Sequence, residues 1–328
     1  MIICKTPFRV SFTGGGTDQL EWIKLNGKGG IINSSINKYG YIILKDVKTV
    51  YDYKYKIRYH LNEEANSYKK IKHPAIKKAI KYYGLEKKNL HITYDSDLPS
   101  RSGIGSSSSF VVGLINIIYN LKNKNLSKFK LANEAIYFEN KILMENSGMQ
   151  DQISASYGGL NYIYFSENNF KVKKINISNI KKNILNKSLL FCFVKRYKNS
   201  IDIEKKKLLK IARNKNIYSE ILDINQHVLH ELKSNSKNWY KNLNSYLNYY
   251  WELKKKIDNN VSSEQINYLC DNFLNDGADS VKLMGAGGGG FISIFASQKI
   301  QQKLLSKYNN LKFVKVEMAD NGSKIIKI

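Results

Sequence analysis

Apolar and polar residues trade places along "IICKTPFRVSFT" (2–13), around Pro7, before a run of glycines, and that alternation predicts a strand. "GGIINSSINKYGYIILKDV" (29–47) reads as two strands, "YKYKIRYHL" (53–61) as another, and "NLHITYDSDLP" (89–99) as a fourth stretch of sheet. Helical spacing takes over in "HPAIKKAIKYYGL" (73–85), with Pro74 in its first turn and Gly84 at its end. "SSSSFVVGLINIIYNL" (106–121) predicts a buried helix, with Phe110, Val111, Leu114, Ile115, Ile118 and Leu121 at helical spacing. A second helix follows in "FKLANEAIYFENKILMEN", where Leu131, Ala135, Phe138 and Ile142 form one stripe. Two strands are expected after Gly158 and Gly159.

Near residue 186 the texture changes. "SLLFCFV" reads as a short buried strand, lysine-rich helices run from about 201 to 275, and "VKLMGAGGGGFISIF" and "FVKVEMA" close with a loop and strands. Strands and helices mix without regular βαβ alternation, so the expected class is α+β. The expected division is into two domains, 1–186 and 187–328.

Composition narrows the setting. The formal charge of +26, from 53 basic and 27 acidic residues, could mark a nucleic-acid binder, but the lysines are spread along the chain and read as a solvated surface that could attract an anionic small substrate. The expectation is therefore no nucleic acid, and no membrane either, since no run of 18 apolar residues occurs. Cys4, Cys192 and Cys270 are far apart, and no signal peptide opens the chain, which together point to the cytoplasm. A homodimer is left open.

The chemistry concentrates in three glycine clusters, "TGGGTD" (13–18), "SGIGSSSS" (102–109) and "GAGGGG" (285–290). Glycine lets backbone approach a ligand, successive amides form an anion nest, and a helix starting right after the loop adds its free N–H groups. The middle cluster has this form, and its serines could bind phosphate oxygens or Mg²⁺. A plain turn with Ser106 as a cap would also account for one such loop taken alone. No GxxxxGK[ST] is present, and "GAGGGG" precedes a strand where a dinucleotide fingerprint would open a helix. Glu139, about 80° round the second helix from Leu131, lies at the rim of the apolar stripe, where it could point into a cleft or into water. Asp151, within "NSGMQDQ", could be a turn residue or a functional carboxylate. Phosphoryl transfer needs hard oxygen ligands for Mg²⁺, a carboxylate for the acceptor hydroxyl and a cation for the transferred group; Glu139, the serines, Asp151 and Arg9 could supply them. The His227–His230 pair completes no metal set, and the tyrosines from 239 to 250 read as packing and surface.

"PFRVSFTGGGTD", "DLPSRSGIGSSSSF", "SGMQDQ" and "KLMGAGGGGF", in this order, resemble the GHMP small-molecule kinases, and "GGGTD", the four serines and "QDQ" are most similar to the D-glycero-D-manno-heptose 7-phosphate kinase branch. The resemblance covers nearly all of residues 1–165 and again 277–295. It implies a two-domain fold with an active-site cleft between the domains, and ATP and Mg²⁺ as cofactors. Pro99, Gly103, Ile104, Gly105, Ser106, Ser107 and Ser108 would then wrap the ATP phosphates. Ser107 and Glu139 would be the Mg²⁺ ligands. Asp151 would orient or activate the acceptor hydroxyl, with Arg9 beside it as the second catalytic residue. Asp18 would bind sugar hydroxyls in a pocket lined by Gly15, Gly16 and Thr17, and Gly287 and Gly288 would approach substrate or phosphate by backbone. The implied acceptor is the anomeric hydroxyl of a heptose 7-phosphate, giving a 1,7-bisphosphate en route to an activated heptose for surface polysaccharide.

The second domain of this family normally opens on a strand ending in Thr-Gly-x-x-Arg, and "FCFVKRYKNS" has no Thr-Gly. A phosphorylated substrate needs a cationic clamp, for which Arg58, Arg101 and Arg196 are the candidates. Three other functions remain: the same chemistry on an unphosphorylated sugar of the fucose or galactose type, a sugar or nucleotide sensor without turnover, and a basic RNA-binding protein. The third predicts binding that weakens steeply with salt and needs no Mg²⁺ or ATP.

Overall fold

A computed structural model describes residues 1–48, 50–145, 147–167, 169–195 and 209–326. β1 (Ile2–Thr13), β2 (Lys28–Asp46), β3 (Tyr55–Arg58), β4 (Asn62–Ala65), β5 (Leu90–Ser96), β6 (Leu160–Ser166), β7 (Asn169–Lys174) and β12 (Lys324–Ile326) form one sheet. Its main path runs β12-β1-β2-β5-β3-β4, with β6 pairing β2 and β7. β8 (Leu189–Val194), β9 (Ser280–Leu283), β10 (Gly290–Phe295) and β11 (Lys312–Lys315) form a second sheet in the order β11-β8-β10-β9. Every pairing is antiparallel except β3 with β5.

The stretch 29–47, read above as two strands, is one strand that changes partner. Residues 28–34 of β2 pair with β6, and 40–46 pair with β5. The polar centre "NSSINKYG" looks like a turn, but Asn33, Ser34 and Ser35 are buried within the strand, and Ser35 Oγ donates to the Ser154 carbonyl. "FVKVEMA" is likewise not the last strand: β12 returns to the first sheet and pairs with β1 from Ile3↔Ile326 to Lys5↔Lys324.

Helices α1 (Leu20–Asn26), α2 (Pro74–Tyr82), α3 (Ser106–Leu121), α4 (Lys128–Tyr137), α5 (Gln150–Tyr157) and α6 (Asn179–Ser188) accompany the first part of the chain. α7 (Lys215–Lys233), α8 (Trp239–Ile257), α9 (Glu264–Asn275) and α10 (Gln298–Lys307) follow. Pro at the first turn of α2, where a free N–H is not needed, and Ser caps on α4, α6, α9 and α10 set helix starts. α3 buries Val111, Leu114, Ile115 and Ile118 with Ile42, Leu44 and Ile92 of the larger sheet. Another cluster joins the two sheets through Phe8, Val10 and Phe12 of β1, Phe191 and Phe291, with Phe12 and Phe295 ring centroids 5.9 Å apart. The α+β class is as expected. No helix among the described residues is long and apolar enough to cross a membrane.

Candidate active site

β1 carries Arg9 into the site. The strand's register shifts between Pro7 and Arg9 and again between Ser11 and Thr13. Proline has no N–H to give the ladder, and such irregularities re-aim side chains. Arg9 N–H bonds instead to the Ile104 carbonyl, at 3.1 Å. The guanidinium makes a bidentate pair with Asp151, Nε to Oδ1 at 2.7 Å and Nη2 to Oδ2 at 3.0 Å, and its Nη1 donates to the Gly103 carbonyl at 2.6 Å. One side chain thus fixes both the carboxylate on the first turn of α5 and the glycine loop ahead of α3. Arg9 is 5% exposed and Asp151 22%, so the carboxylate is the member of the pair open to a ligand.

The loop before α3 is a built turn. Arg101, Gly103 and Gly105 all have positive φ (57°, 80° and 75°). Ser102 Oγ donates to the Pro99 carbonyl at 2.6 Å, and Ser106 Oγ accepts from Arg101 N–H at 3.0 Å. The four serines divide by direction. Ser106, Ser108 and Ser109 are buried, with Ser108 Oγ donating to Glu139 and Ser109 Oγ to the Pro7 carbonyl, whereas Ser107 is exposed at the helix start.

Glu139 is not on a regular helix. α4 gives way to a π-helical turn at Phe138–Leu143, which carries Glu139 into a fully buried position, 1% exposed. Its Oε2 accepts from Ser108 Oγ (3.1 Å), Ser147 Oγ (3.0 Å) and Gln152 Nε2 (2.5 Å), while Oε1 is buried without a partner. Burial pushes this carboxyl up to about 8. An orphaned carboxylate oxygen beside hydroxyls is the donor set a hard divalent cation takes, and Mg²⁺ needs only one or two protein ligands besides phosphates and waters. It is therefore no obstacle that, among the described residues, no three His, Cys, Asp or Glu side chains gather as a metal cluster.

Asp18 is 2% exposed, accepting from Gly16 N–H (3.0 Å) and Gln150 N–H (3.1 Å); burial, then opposed by these bonds, raises its pKa. Thr17 Oγ1 donates to the Gly14 and Gly30 carbonyls, both at 2.8 Å, so this hydroxyl fastens the loop. Gly15 N–H donates to Tyr250 Oη at 3.1 Å, and a Cβ on Gly16 would fall 2.6 Å from the Tyr218 ring. The third cluster packs against the second: Gly285 lies against Gly103, and Phe291 N–H reaches the Ser102 carbonyl at 2.9 Å. Gly287 and Gly288 lie against Val261, whose carbonyl accepts from Gly288 N–H at 3.2 Å.

Of the three arginines considered for a substrate phosphate, two are among the described residues. Arg58 is exposed on β3, which β2 and β5 separate from β1 in the sheet. Arg101 is on the serine-side loop, where it opposes the effect of burial on Glu145. Arg196 lies outside the described residues. Conversely, Tyr218 and Asn225 on α7 and Lys282 on β9 are at the site and were not singled out in the sequence, and Tyr250 on α8, from the tyrosine stretch read as packing and surface, reaches the Gly15 amide. Asn225 accepts from Thr13 Oγ1 at 2.6 Å and donates to the Gly30 carbonyl at 2.7 Å. Lys282 Nζ donates to the Ser11 carbonyl, and burial, with Arg9 adding to it, pushes the amine down to about 7. Lys282 at least opens the "KLMGAGGGG" stretch; Tyr218 and Asn225 have no marker in their lysine-rich surroundings.

Known proteins share this fold. Residues 69–159 match the GHMP kinases N terminal domain. The chain is 28% identical to the D-glycero-alpha-D-manno-heptose 7-phosphate kinase of Campylobacter jejuni over 95% of this chain and 93% of that one. It is 28% identical to the mevalonate kinase of Methanocaldococcus jannaschii over 72% and 71%. Among solved structures, a D-glycero-D-manno-heptose 1-phosphate kinase from Bacteroides thetaiotaomicron superposes with a TM-score of 0.75 at 22% identity, covering 100% of this chain and 99% of that one. The Methanococcus jannaschii mevalonate kinase structure gives 0.73 at 21%, covering 96% and 98%. The glycine loops, the carboxylate they face and the fold that brings them together all point the same way: residues 69–159 carry the GHMP kinases N terminal domain, and the relatives that are alike along the chain are kinases.

Proposed function

We propose that the protein transfers the γ-phosphoryl group of ATP to the anomeric hydroxyl of D-glycero-D-manno-heptose 7-phosphate, giving the 1,7-bisphosphate for an activated heptose of surface polysaccharide, in the cytoplasm. The observation that carries the reading is Arg9, which joins Asp151 to the Gly103 carbonyl. A carboxylate for the acceptor and a loop for the donor phosphates are held in one frame. The kinase named for heptose 7-phosphate in C. jejuni, alike along almost the whole chain, supports the substrate class.

The backbone from Pro99 through Gly103, Ile104 and Gly105, with Ser106, Ser107 and Ser108, cradles the nucleotide phosphates at the start of α3. Glu139 and Ser107 would hold Mg²⁺, which when bound neutralises phosphate charge. Asp18, with Gly15, Gly16 and Thr17, orients the sugar. Asp151 accepts the acceptor hydroxyl proton as the new O–P bond forms and the bond to ADP breaks, and Arg9 holds that carboxylate in place while offsetting negative charge on the transferred group. The functional division is 1–186 for nucleotide and 187–328 for the second wall of the cleft.

ATP consumption with Mg²⁺ tests this on heptose 7-phosphate, free heptose, fucose and galactose. Turnover is expected with the 7-phosphate alone, and Asp151→Ala lowers kcat by about 10³-fold. Turnover of a free sugar in preference overturns the heptose assignment, and full activity in Asp151→Ala overturns the mechanism.

A further inference from the structure

The acceptor-side loop 14–18 is made of three glycines, a threonine and an aspartate, and glycines carry no side chain to hold a conformation. Something else must hold it. The second half of the chain grips the end of β1 and the start of the loop at every second residue. Lys282 Nζ bonds the Ser11 carbonyl, Asn225 bonds Thr13 Oγ1, and Tyr250 Oη accepts from Gly15 N–H at 3.1 Å. The outer end is fastened from within the first half, by Thr17 Oγ1 on the Gly14 and Gly30 carbonyls. Gly15 is where the loop meets the second half by a hydrogen bond of its own. The next amide, Gly16 N–H, holds Asp18 Oδ1 at 3.0 Å.

We infer that Tyr250 is a positioning residue for the acceptor: through the Gly15 and Gly16 amides it sets the direction of the Asp18 carboxylate, and so decides how well a sugar is held. This rests on the kinase reading above and on Asp18 facing the sugar. Tyr250 is buried on α8, its ring is packed near Lys282 (5.5 Å from Nζ to the ring centroid), and its oxygen is placed by helix packing and not by the loop. A Cβ on Gly15 would come within 2.8 Å of that oxygen, closer than carbon and oxygen approach without a hydrogen bond. The glycine at 15 and the tyrosine at 250 are therefore matched to one another. Tyr250→Phe removes the acceptor of one amide hydrogen bond and leaves the ring packing intact.

The experiment is a double-mutant cycle of Tyr250→Phe and Asp18→Ala, read as KM for the acceptor, KM for ATP and kcat, on whichever acceptor the wild type turns over. Tyr250→Phe should raise the acceptor KM about five- to tenfold, the worth of one neutral hydrogen bond, and leave the ATP KM unchanged. In the Asp18→Ala background, which has no side-chain acceptor for Gly16 N–H, the same change should have no further effect. Additive effects, an equal rise in both KM values, or no change in the acceptor KM each overturn the proposal. A steric version covers the case in which Tyr250→Phe is unstable. Gly15→Ala should raise the acceptor KM, and Gly15→Ala/Tyr250→Phe should recover part of it, because the hydroxyl that met the new methyl is gone; no recovery counts against the proposal. If heptose 7-phosphate proves the wrong substrate, that appears in the wild type, whereas the coupling is a ratio within one acceptor.

Discussion

Gly27 and Gly285 share a φ of +70° and have opposite surroundings. A Cβ on Gly27 would meet nothing within 4 Å, and one on Gly285 would lie 2.6 Å from the Gly103 Cα. Alanine at either place carries the left-handed penalty, about 1 kcal/mol. Only Gly285→Ala must also push backbone against backbone. To reach an ordinary contact near 3.4 Å the two loops must part by about 0.8 Å, and a misplacement of ~1 Å near the chemistry can cost on the order of 10²-fold. The Gly103 carbonyl that would move is the one bound by Arg9 Nη1. Gly27→Ala should therefore lose only the backbone penalty in thermal unfolding and Gly285→Ala more than that, while kcat/KM for ATP falls roughly ten- to a hundredfold in Gly285→Ala and stays at the wild-type value in Gly27→Ala. Wild-type kcat/KM in Gly285→Ala, or an equal loss in both, would refute the coupling of the third glycine loop to the phosphate loop.

Two further predictions concern pH. Glu139 binds its proton more tightly in the folded state, up to about 8 against 4.5, so without Mg²⁺ its contribution to stability is full at acid pH and is lost as pH rises through about 8. Urea unfolding in chelator should show this decline, Glu139→Gln should flatten it, and the same variant should need more Mg²⁺ for activity; an unchanged slope would count against a buried, metal-ready carboxylate. Lys282 has the opposite sign. Its amine, down at about 7 from 10.5, leaves the unfolded chain holding a proton that the folded one does not, so stability rises with pH across that window. Lys282→Met should remove that rise and lower kcat through loss of the Ser11 bond, and a slope surviving the substitution would show that another group causes it.

Most of the first half was legible because its elements carry local signals. The serine run and apolar stripe of α3 begin and end where the spacing places them, at Ser106 and Leu121. What local pattern could not show is where a strand changes partner, as β2 does at its polar centre, or where a helix widens, as at Glu139. A 3.6-residue period puts Glu139 at the rim; the π-helical turn buries it. Gly285 and Gly103 are 182 positions apart, yet a Cβ on Gly285 would meet the Gly103 backbone and one on Gly103 the Met284 carbonyl next to Gly285. Tyr218, Asn225 and Tyr250 look like ordinary residues of polar helices, since their role depends on which loop lies opposite, and that is settled by tertiary packing.

The return of β12 bears on how the chain matures as it is made. Ser323 Oγ meets Cys4 Sγ, Thr6 Oγ1 and Asn116 Nδ2, at 3.2, 2.9 and 3.0 Å, across up to 319 positions of sequence. β12 then covers the edge of β1, the strand that bears Arg9. A nascent chain that has completed only the first sheet's other strands leaves this edge bare while the whole second half is still being translated, and a bare edge invites pairing with another chain. A fragment ending near 186 carries that exposure permanently, so supplying residues 320–326 as a peptide in trans should improve its solubility more than any change to its surface charge.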